Sequence, residues 1–582
     1  MVTSINEDRK TKKYRFLEGI IGYTSIGFLI ILLITSIINP VLASVFLIVY
    51  SFMWLFKYTL NVIYTVYTYL QLRRWEALDW AKLFNYFNTD LSKAITLLNN
   101  FSHKYKNKID LPRKIESQIR VIDESKNTKF ANPNDIFQVC IFSIYNENSE
   151  VLAKSLKCIY ESEYNLDKIV VFVSQEGRYG EEENTILRNE IKKIDWINSY
   201  NQSEKNLDIV YNSTHPNLNY KSKIFECIEL FSDKLNIIFT QHPDGLIGEI
   251  KGKSSNEDWG GRQASLFLKS QSIDPETSLV TSLDADSHIS PYFFHHLSFT
   301  FCTTPNRLAS GYQPIHSYSN NFYETGLWPR QVATQTGLAN LTNLGIEGET
   351  PFFAIYSVPM CVLQDVNFWV REVIAEDAMM FNKCLIHFDG NFKVVPFYGV
   401  FEGDAVEAED FIEGVLSQYL QLQRWAWGGI EDFPYIYKNF FWTEKGRKID
   451  LRVRLKWTYL KFSNHVFWSS SPVIFSIGML FPQIFGGDVF RQTQTFQNLI
   501  ILSQFFAWAS FIFIVSFGYI TYEYFAFRAS KKQKLTPKQI GMVFAQLALS
   551  PFLYGLMGIP ALDAQIRGIR GKYLGYWVTP KK

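Results

Sequence analysis

Hydrophobic positions along the chain fall into two kinds: long unbroken runs near each end, and short runs alternating with helical patterns between them. Near the N-terminus, Ile20–Ile38 and Val41–Tyr67 are each long enough to cross a hydrocarbon core of about 30 Å. Asn39-Pro40 separates them. The first run is too long, and too closely followed by the second, to be a cleaved signal. Two further spans are predicted at Val466–Ile484 and Leu499–Phe525. Ile540–Leu562 is also apolar, but Ser550-Pro551 and Pro560 interrupt it, which predicts an interfacial or re-entrant segment.

The charges around these runs give them a direction. Arg9, Lys10, Lys12, Lys13 and Arg15 precede the first run, and Arg73 and Arg74 follow the second. Arg528, Lys531, Lys532, Lys534 and Lys538 follow the fourth, whereas the connector Gly486–Gln497 carries only Asp488 and Arg491. The positive-inside rule then predicts about four crossings of the cell membrane with both termini cytoplasmic, the basic tail from Arg567 to Lys582 included. The expected organisation is a membrane hairpin over 1–72, a cytoplasmic domain over 73–462 with interfacial helices at its C-terminal end, a second hairpin over 463–527, and an interfacial segment with a basic tail over 528–582. Lys57, inside the second run, is expected to snorkel or to face protein. The segment Arg447–Lys456 suits an anionic membrane surface.

In the intervening domain, Phe137–Ser143, Lys168–Ser174, Leu235–Thr240 and Ser278–Leu283 read as strands, and Val151–Tyr160 and Gly261–Lys269 as helices between them. That alternation predicts an α/β domain with a largely parallel sheet. Ligands of such sheets bind beyond the carboxyl ends of the strands. Tyr145-Asn146-Glu147 follows the first strand, Gln175-Glu176-Gly177 the second, and Asp284-Ala285-Asp286 the fourth.

Composition changes this picture little. Aromatic residues make up 16% of the chain, with 49 Phe and 32 Tyr, which suits a membrane-facing surface and equally a carbohydrate binder. A formal net charge of +2 points to no particular macromolecular partner and gives no reason to expect a nucleic acid. The six cysteines, Cys140, Cys158, Cys227, Cys302, Cys361 and Cys384, show no C-x-x-C pair and are expected as reduced thiols.

The candidate chemistry lies at the strand ends and in two later elements. Asp284 and Asp286 are two residues apart, so alternation can aim both to one side, a donor set for Mg²⁺ or Mn²⁺. Taken alone, a D-x-D is more often a solvated turn. Lys251, in Lys251-Gly252-Lys253-Ser254-Ser255-Asn256, could stabilise a diphosphate or belong to a solvated loop. Glu376-Asp377 precedes a helix-like run and could cap it or supply a general base. Gln421-Leu422-Gln423-Arg424-Trp425 lies in an amphipathic stretch with Phe411, Ile412, Val415, Leu416, Tyr419 and Leu420. There Arg424 could pair with phosphate and Trp425 face a sugar, or the stretch could be an interfacial helix.

Taken in order, these elements resemble the processive family 2 glycosyltransferases, the group of cellulose, chitin and hyaluronan synthases. The order Tyr145-Asn146-Glu147, Lys251 to Asn256, Asp284 to Asp286, Glu376-Asp377 and Gln421 to Trp425 follows that family's Y-N-E-like, K-x-x-x-x-N, D-x-D, E-D and Q-x-x-R-W elements. The resemblance implies a GT-A fold and inverting transfer from a UDP-sugar to a glycan acceptor, giving a β-linked polysaccharide. It places Tyr145, Glu147 and Lys251 around the donor, Asp284 and Asp286 at the diphosphate and its metal, and Asp377 as catalytic base. Gln421, Arg424 and Trp425 would contact the diphosphate and the acceptor. Where relatives carry an acidic cluster after the second strand, this chain has Ser174-Gln175-Glu176-Gly177, with Glu176 the only acid. Tyr576-Trp577-Val578-Thr579-Pro580-Lys581 resembles the family's gating loop, with Thr579 and Lys581 at its matching positions. Four spans are few for a wide channel unless two chains combine or the polymer is short. The competing readings are a non-processive transferase on a lipid-linked acceptor, and a membrane transporter or receptor with a cytoplasmic domain.

Overall fold

The computed structural model describes residues 4–108, 110–192, 229–231, 235–346, 348, 350–408, 410–531 and 533–575. The chain forms two units, one from residues 4–69, 317–346 and 404–575, the other from residues 70–316 and 348–403.

The second unit is built on a sheet. Its strands in chain order are β1 (Phe137–Ile144), β2 (Ile169–Glu176), β3 (Glu229–Phe231), β4 (Asn236–His242), β5 (Ser278–Leu283), β6 (His288–Ile289), β7 (Ser310–Ser317), β8 (Tyr356–Pro359) and β9 (Lys393–Glu402). They lie side by side in the order β3-β4-β2-β1-β5-β8-β7-β9-β6. The centre, β4-β2-β1-β5, is parallel. β3, β8 and β6 each pair antiparallel with their neighbours, so the sheet is mixed where a largely parallel one is expected from the sequence. Strands buried on both faces need apolar residues at every position, and β2 is buried from end to end. That is why the central strands read as continuous runs.

Helix Lys253–Ser270 covers β1 and β2. It comes so close at Gly260 that a Cβ there would stand 2.9 Å from Ile141 Cγ2 and 3.2 Å from Ser174 Cβ. Phe267 meets Phe172 edge-on at 5.8 Å between centroids. Because the four central strands run the same way, Tyr145, Glu176, His242 and Asp284 all emerge at one edge.

The first unit is helical. Lys12–Ile38 and Pro40–Trp75 are long and apolar enough to cross a membrane. The break between them is where the sequence puts it, with Asn39 Oδ1 accepting from the Leu42 amide at 3.1 Å. Pro537–Ser550 and Phe552–Arg570 form a pair bent by 60° at the expected Ser550-Pro551 interruption, and would add a third span if counted as one. The run predicted over Val466–Ile484 is divided: helix Leu451–Ser476 stops, a 3₁₀ turn follows at Gly478–Leu480, and a short helix begins at Phe481. Helix Gln494–Ile520 covers most of the fourth run.

Leu17 and Ile21 pack with Phe433 and Val466, and Leu32, Leu47, Tyr50 and Trp54 pack with Ile474 and Leu499. A buried polar knot joins both ends of this unit. Glu18 accepts from Arg9 Nε at 3.0 Å, from Arg15, and from the Tyr573 hydroxyl at 3.0 Å. Arg9 also reaches Glu431 at 3.4 Å and covers the Tyr573 ring at 4.5 Å. The five described cysteines are free thiols; Cys227 lies outside the described residues.

Candidate active site

The polar edge of the sheet is organised by short hydrogen-bonded turns. After β5, Ser287 Oγ accepts from the Asp284 amide at 3.0 Å, and the Ser287 amide donates to Asp284 O at 3.0 Å. Ser155 Oγ donates to Ala285 O at 2.6 Å, fixing the middle of the D-x-D. Asp286 is buried, whereas the Asp284 side chain is 37% exposed.

Lys253, the first residue of helix Lys253–Ser270, gathers the acids. Its ammonium lies 2.9 Å from Asp284 Oδ1, 2.9 Å from Glu376 Oε1 and 3.6 Å from Glu257 Oε1. Glu257 is wholly buried and takes a hydrogen bond from Ser282 Oγ on β5. Burial pushes its carboxyl up to about 8, opposed by Lys253 and reinforced by Glu376.

Glu376 and Asp377 open helix Glu376–His387, where the helix dipole favours acids. Asp377 is held by two amides: Ala354 N–H donates to Oδ2 at 2.9 Å and Ala378 N–H to Oδ1 at 2.6 Å. Burial first, then the Glu376 charge, raises Asp377 to about 6, while the two amides and Lys253 oppose the rise. A carboxylate near that value is suited to accept a proton close to neutrality.

The lysine at this cluster is thus Lys253. Lys251 is exposed and pairs with Asp244 at 3.0 Å. The signal that could have selected Lys253 is its i, i+4 spacing to Glu257. Glu257 itself had no signal, since an acid in a polar helix reads as solvated.

Further along the edge, Glu147 Oε2 accepts from the Tyr145 amide at 2.7 Å. Glu176 is buried and ion-paired with Arg178. Burial raises its pKa and Arg178 opposes that. Arg178 covers the Tyr145 ring at 4.1 Å. His242 at the end of β4 meets Glu249 at 2.9 Å, and Glu249 meets Arg371 at 2.8 Å.

Gln421, Arg424 and Trp425 belong to the helical unit, on helix Phe411–Phe441. There Gln418 Nε2 donates to Gln421 Oε1 at 2.9 Å, and Trp425 packs beside Leu422, Trp328 and Leu553. Asp563 accepts from the Tyr419 hydroxyl at 3.0 Å and from Gln423 on the same helix. Thr579 and Lys581 lie outside the described residues.

Among the described residues, no group of three or more His, Cys, Asp or Glu side chains is arranged to hold a metal ion. The donor set at the strand end is the carboxylate oxygens of Asp284 and Asp286. These fit a hard cation such as Mg²⁺ or Mn²⁺ that takes its remaining oxygens from water and a diphosphate.

Residues 279–521 match the model of the glycosyl transferase family group 2. The matched stretch is a glycosyltransferase domain. It takes in the D-x-D, the E-D pair and the Gln421–Trp425 element. Together with the mixed sheet, it supports a GT-A-like fold. No curated protein matches the sequence. Among solved structures, the mannosyltransferase PcManGT from Pyrobaculum calidifontis, in complex with GDP-Man and Mn²⁺, is similar at 13% identity and TM-score 0.37, over 79% of this chain and 97% of that one. TarS 1-349 from S. aureus, in complex with UDP-GlcNAc, is similar at 12% identity and TM-score 0.29, over 75% of this chain and 93% of that one. At these TM-scores the likenesses decide nothing about fold or chemistry.

Proposed function

We propose that this glycosyltransferase is membrane-embedded, with its catalytic domain on the cytoplasmic face. It inverts the anomeric centre as it moves a hexosyl group from a UDP-sugar to a growing β-linked polysaccharide, and it couples that growth to export. The observation that carries this reading is the Lys253 bridge, which ties Asp284 of the D-x-D to Glu376, next to Asp377. In this reading Asp377 accepts the proton of the acceptor hydroxyl, its lone pairs aimed by the Ala354 and Ala378 amides. Asp284 and Asp286 would hold Mg²⁺ or Mn²⁺, which supplies charge neutralisation for the leaving diphosphate. Tyr145, Glu147 and Glu176 form the nucleotide side of the edge, and Lys251 or Lys253 supplies a cation for the donor. Gln421, Arg424 and Trp425 serve the acceptor.

The test is a screen of UDP-sugars with purified full-length protein and Mg²⁺ or Mn²⁺, followed by sizing of a radiolabelled product. Long chains support the synthase reading. A single added sugar would replace it with the non-processive transferase. Absence of turnover with every nucleotide sugar, or full activity in both Asp377→Asn and Asp286→Asn, would overturn the site assignment.

A further inference from the structure

Arg371 belongs to none of the sequence elements behind the resemblance. It lies six residues before Asp377, on the segment that follows helix Met360–Asp365. Residues 366–375 form neither helix nor strand, so their path is set by what they touch. What they touch is the N-terminal part of helix Lys253–Ser270. Arg371 O accepts from the Ile250 amide at 2.9 Å, and Val370 O accepts from the Ser254 hydroxyl. Trp369 lies so close to Gly261 that a Cβ there would stand 2.5 Å from its ring.

The Arg371 side chain completes the tie. Its Nη1 donates to Glu249 Oε1 at 2.8 Å, and its Nε lies 3.8 Å from Asp258 Oδ2. Glu249 stands four residues before Lys253, and Asp258 five after it. One guanidinium therefore holds an acid on each side of the lysine. Both acids are fixed from elsewhere as well. Glu249 Oε2 meets His242 Nε2 at 2.9 Å, and Asp258 accepts from Arg262 at 2.8 and 3.1 Å. The Glu249 side chain is 7% exposed and that of Asp258 3%, so salt screens these pairs little. Burial alone would raise the Glu249 carboxyl; His242 and Arg371 hold it below its ordinary value instead. The 2.9 Å contact between Lys253 and Glu376 depends on how these two segments register, because each residue opens a helix from one of them.

We infer that Arg371 is a positioning residue: by bridging Glu249 and Asp258 it sets Lys253 against Glu376, and so beside the base Asp377. The inference rests on the transferase reading above and deepens it. Arg371 acts through Lys253 and not on the substrates. Lysine in its place keeps the charge but lacks the fork, so it can hold one of the two acids and not both.

The experiment compares the wild type with Arg371→Gln, Arg371→Lys, Glu249→Gln and the Arg371→Gln/Glu249→Gln double variant, each as full-length protein in detergent and each checked by melting temperature. UDP release from a panel of UDP-hexoses and UDP-N-acetylhexosamines with Mn²⁺ gives pH–rate profiles, and hydrogen exchange is followed over residues 249–258. Displacing a catalytic group on the ångström scale predicts a loss of about 10- to 100-fold in kcat for Arg371→Gln. Its acid limb should move to higher pH, because Lys253 opposes the rise that burial and the Glu376 charge impose on Asp377. Arg371→Lys should move the limb the same way by less. Since that variant keeps the charge, the movement reports where Lys253 sits and not a missing cation. The double variant should lose no more than Arg371→Gln alone, since both changes break one bridge. Exchange over residues 249–258 should rise in Arg371→Gln. An acid limb that keeps its wild-type position in the folded Arg371 variants, losses that add in the double variant, or unchanged exchange overturns the inference and leaves the transferase reading intact. A wild type that releases UDP from no member of the panel overturns the donor reading and this inference together.

Discussion

Replacing Lys253 by methionine removes the cation and keeps most of the side chain's volume. Two of its three partners, Glu257 and Glu376, are buried, and its own side chain is only 10% exposed, so solvent cannot screen what is left. Breaking a buried ion pair costs about 3–5 kcal/mol. Asp284, 37% exposed, adds little to that figure. The loss is limited by proton uptake. Glu257 and Asp377 already sit above the ordinary carboxylate range, and Lys253 holds both down, so its removal raises both further. A carboxyl whose pKa is raised on folding adds stability below its unfolded value and loses it as pH climbs through its folded value. The window here runs from about 4 to above 8. The Lys253→Met protein should therefore melt below the wild type by a margin that widens between pH 5 and pH 8. Differential scanning fluorimetry in detergent across that range measures it, and turnover measured alongside should fall off at a higher pH on its acid side than in the wild type. A deficit that is absent, or constant across the range, would refute the assignment of Lys253 as the charge that opposes the rise of these carboxyls.

Asp377→Asn keeps one acceptor for the Ala354 amide, so it should fold normally and lose about 10²- to 10⁴-fold in kcat, as measured on nucleotide-sugar turnover. In the wild type, kcat should fall as pH drops through about 6, because protonated Asp377 cannot accept a proton; a pH–rate profile checks this. Gly260→Val places branches where a single Cβ already stands 2.9 Å from Ile141, and should destabilise by about 1–3 kcal/mol in a thermal melt. Asp563→Ala strips the carboxylate from Tyr419 and Gln423, so it should loosen helix Phe411–Phe441, raising its hydrogen exchange and acceptor KM while leaving donor KM unchanged.

How much of this was legible depended on burial. The central strands are buried on both faces, so their sequences are apolar throughout, and Ser278–Leu283 could be bounded to the residue. β8 is four residues long and β6 two, too short for any periodicity to show, and they supply antiparallel pairings the pattern did not reveal. Asp284-Ala285-Asp286 and Glu376-Asp377 stand out in the sequence because acids follow apolar runs. Lys251 and Lys253 stand two residues apart, and telling them apart needs the start of the helix at Lys253, which spacing alone does not fix. Glu257 and Arg178 carry no such signal, because buried charge is invisible without its partner. The third hydrophobic run reads as continuous, yet the helix ends at Ser476, since composition records hydrophobicity but not where a helix turns.

The knot at Glu18 has a consequence for biosynthesis. Its tyrosine partner lies 555 residues further on. At about 5–20 residues per second, synthesis separates the two by roughly half a minute to two minutes. Over that interval the acid has only Arg9 and Arg15 for company. A ribosome that stops short of Tyr573 releases a chain whose helix Lys12–Ile38 carries a carboxylate short of one donor. The packing around Glu18 is thereby finished only once Tyr573 has been made, and a product truncated before it should be the first to be proteolysed.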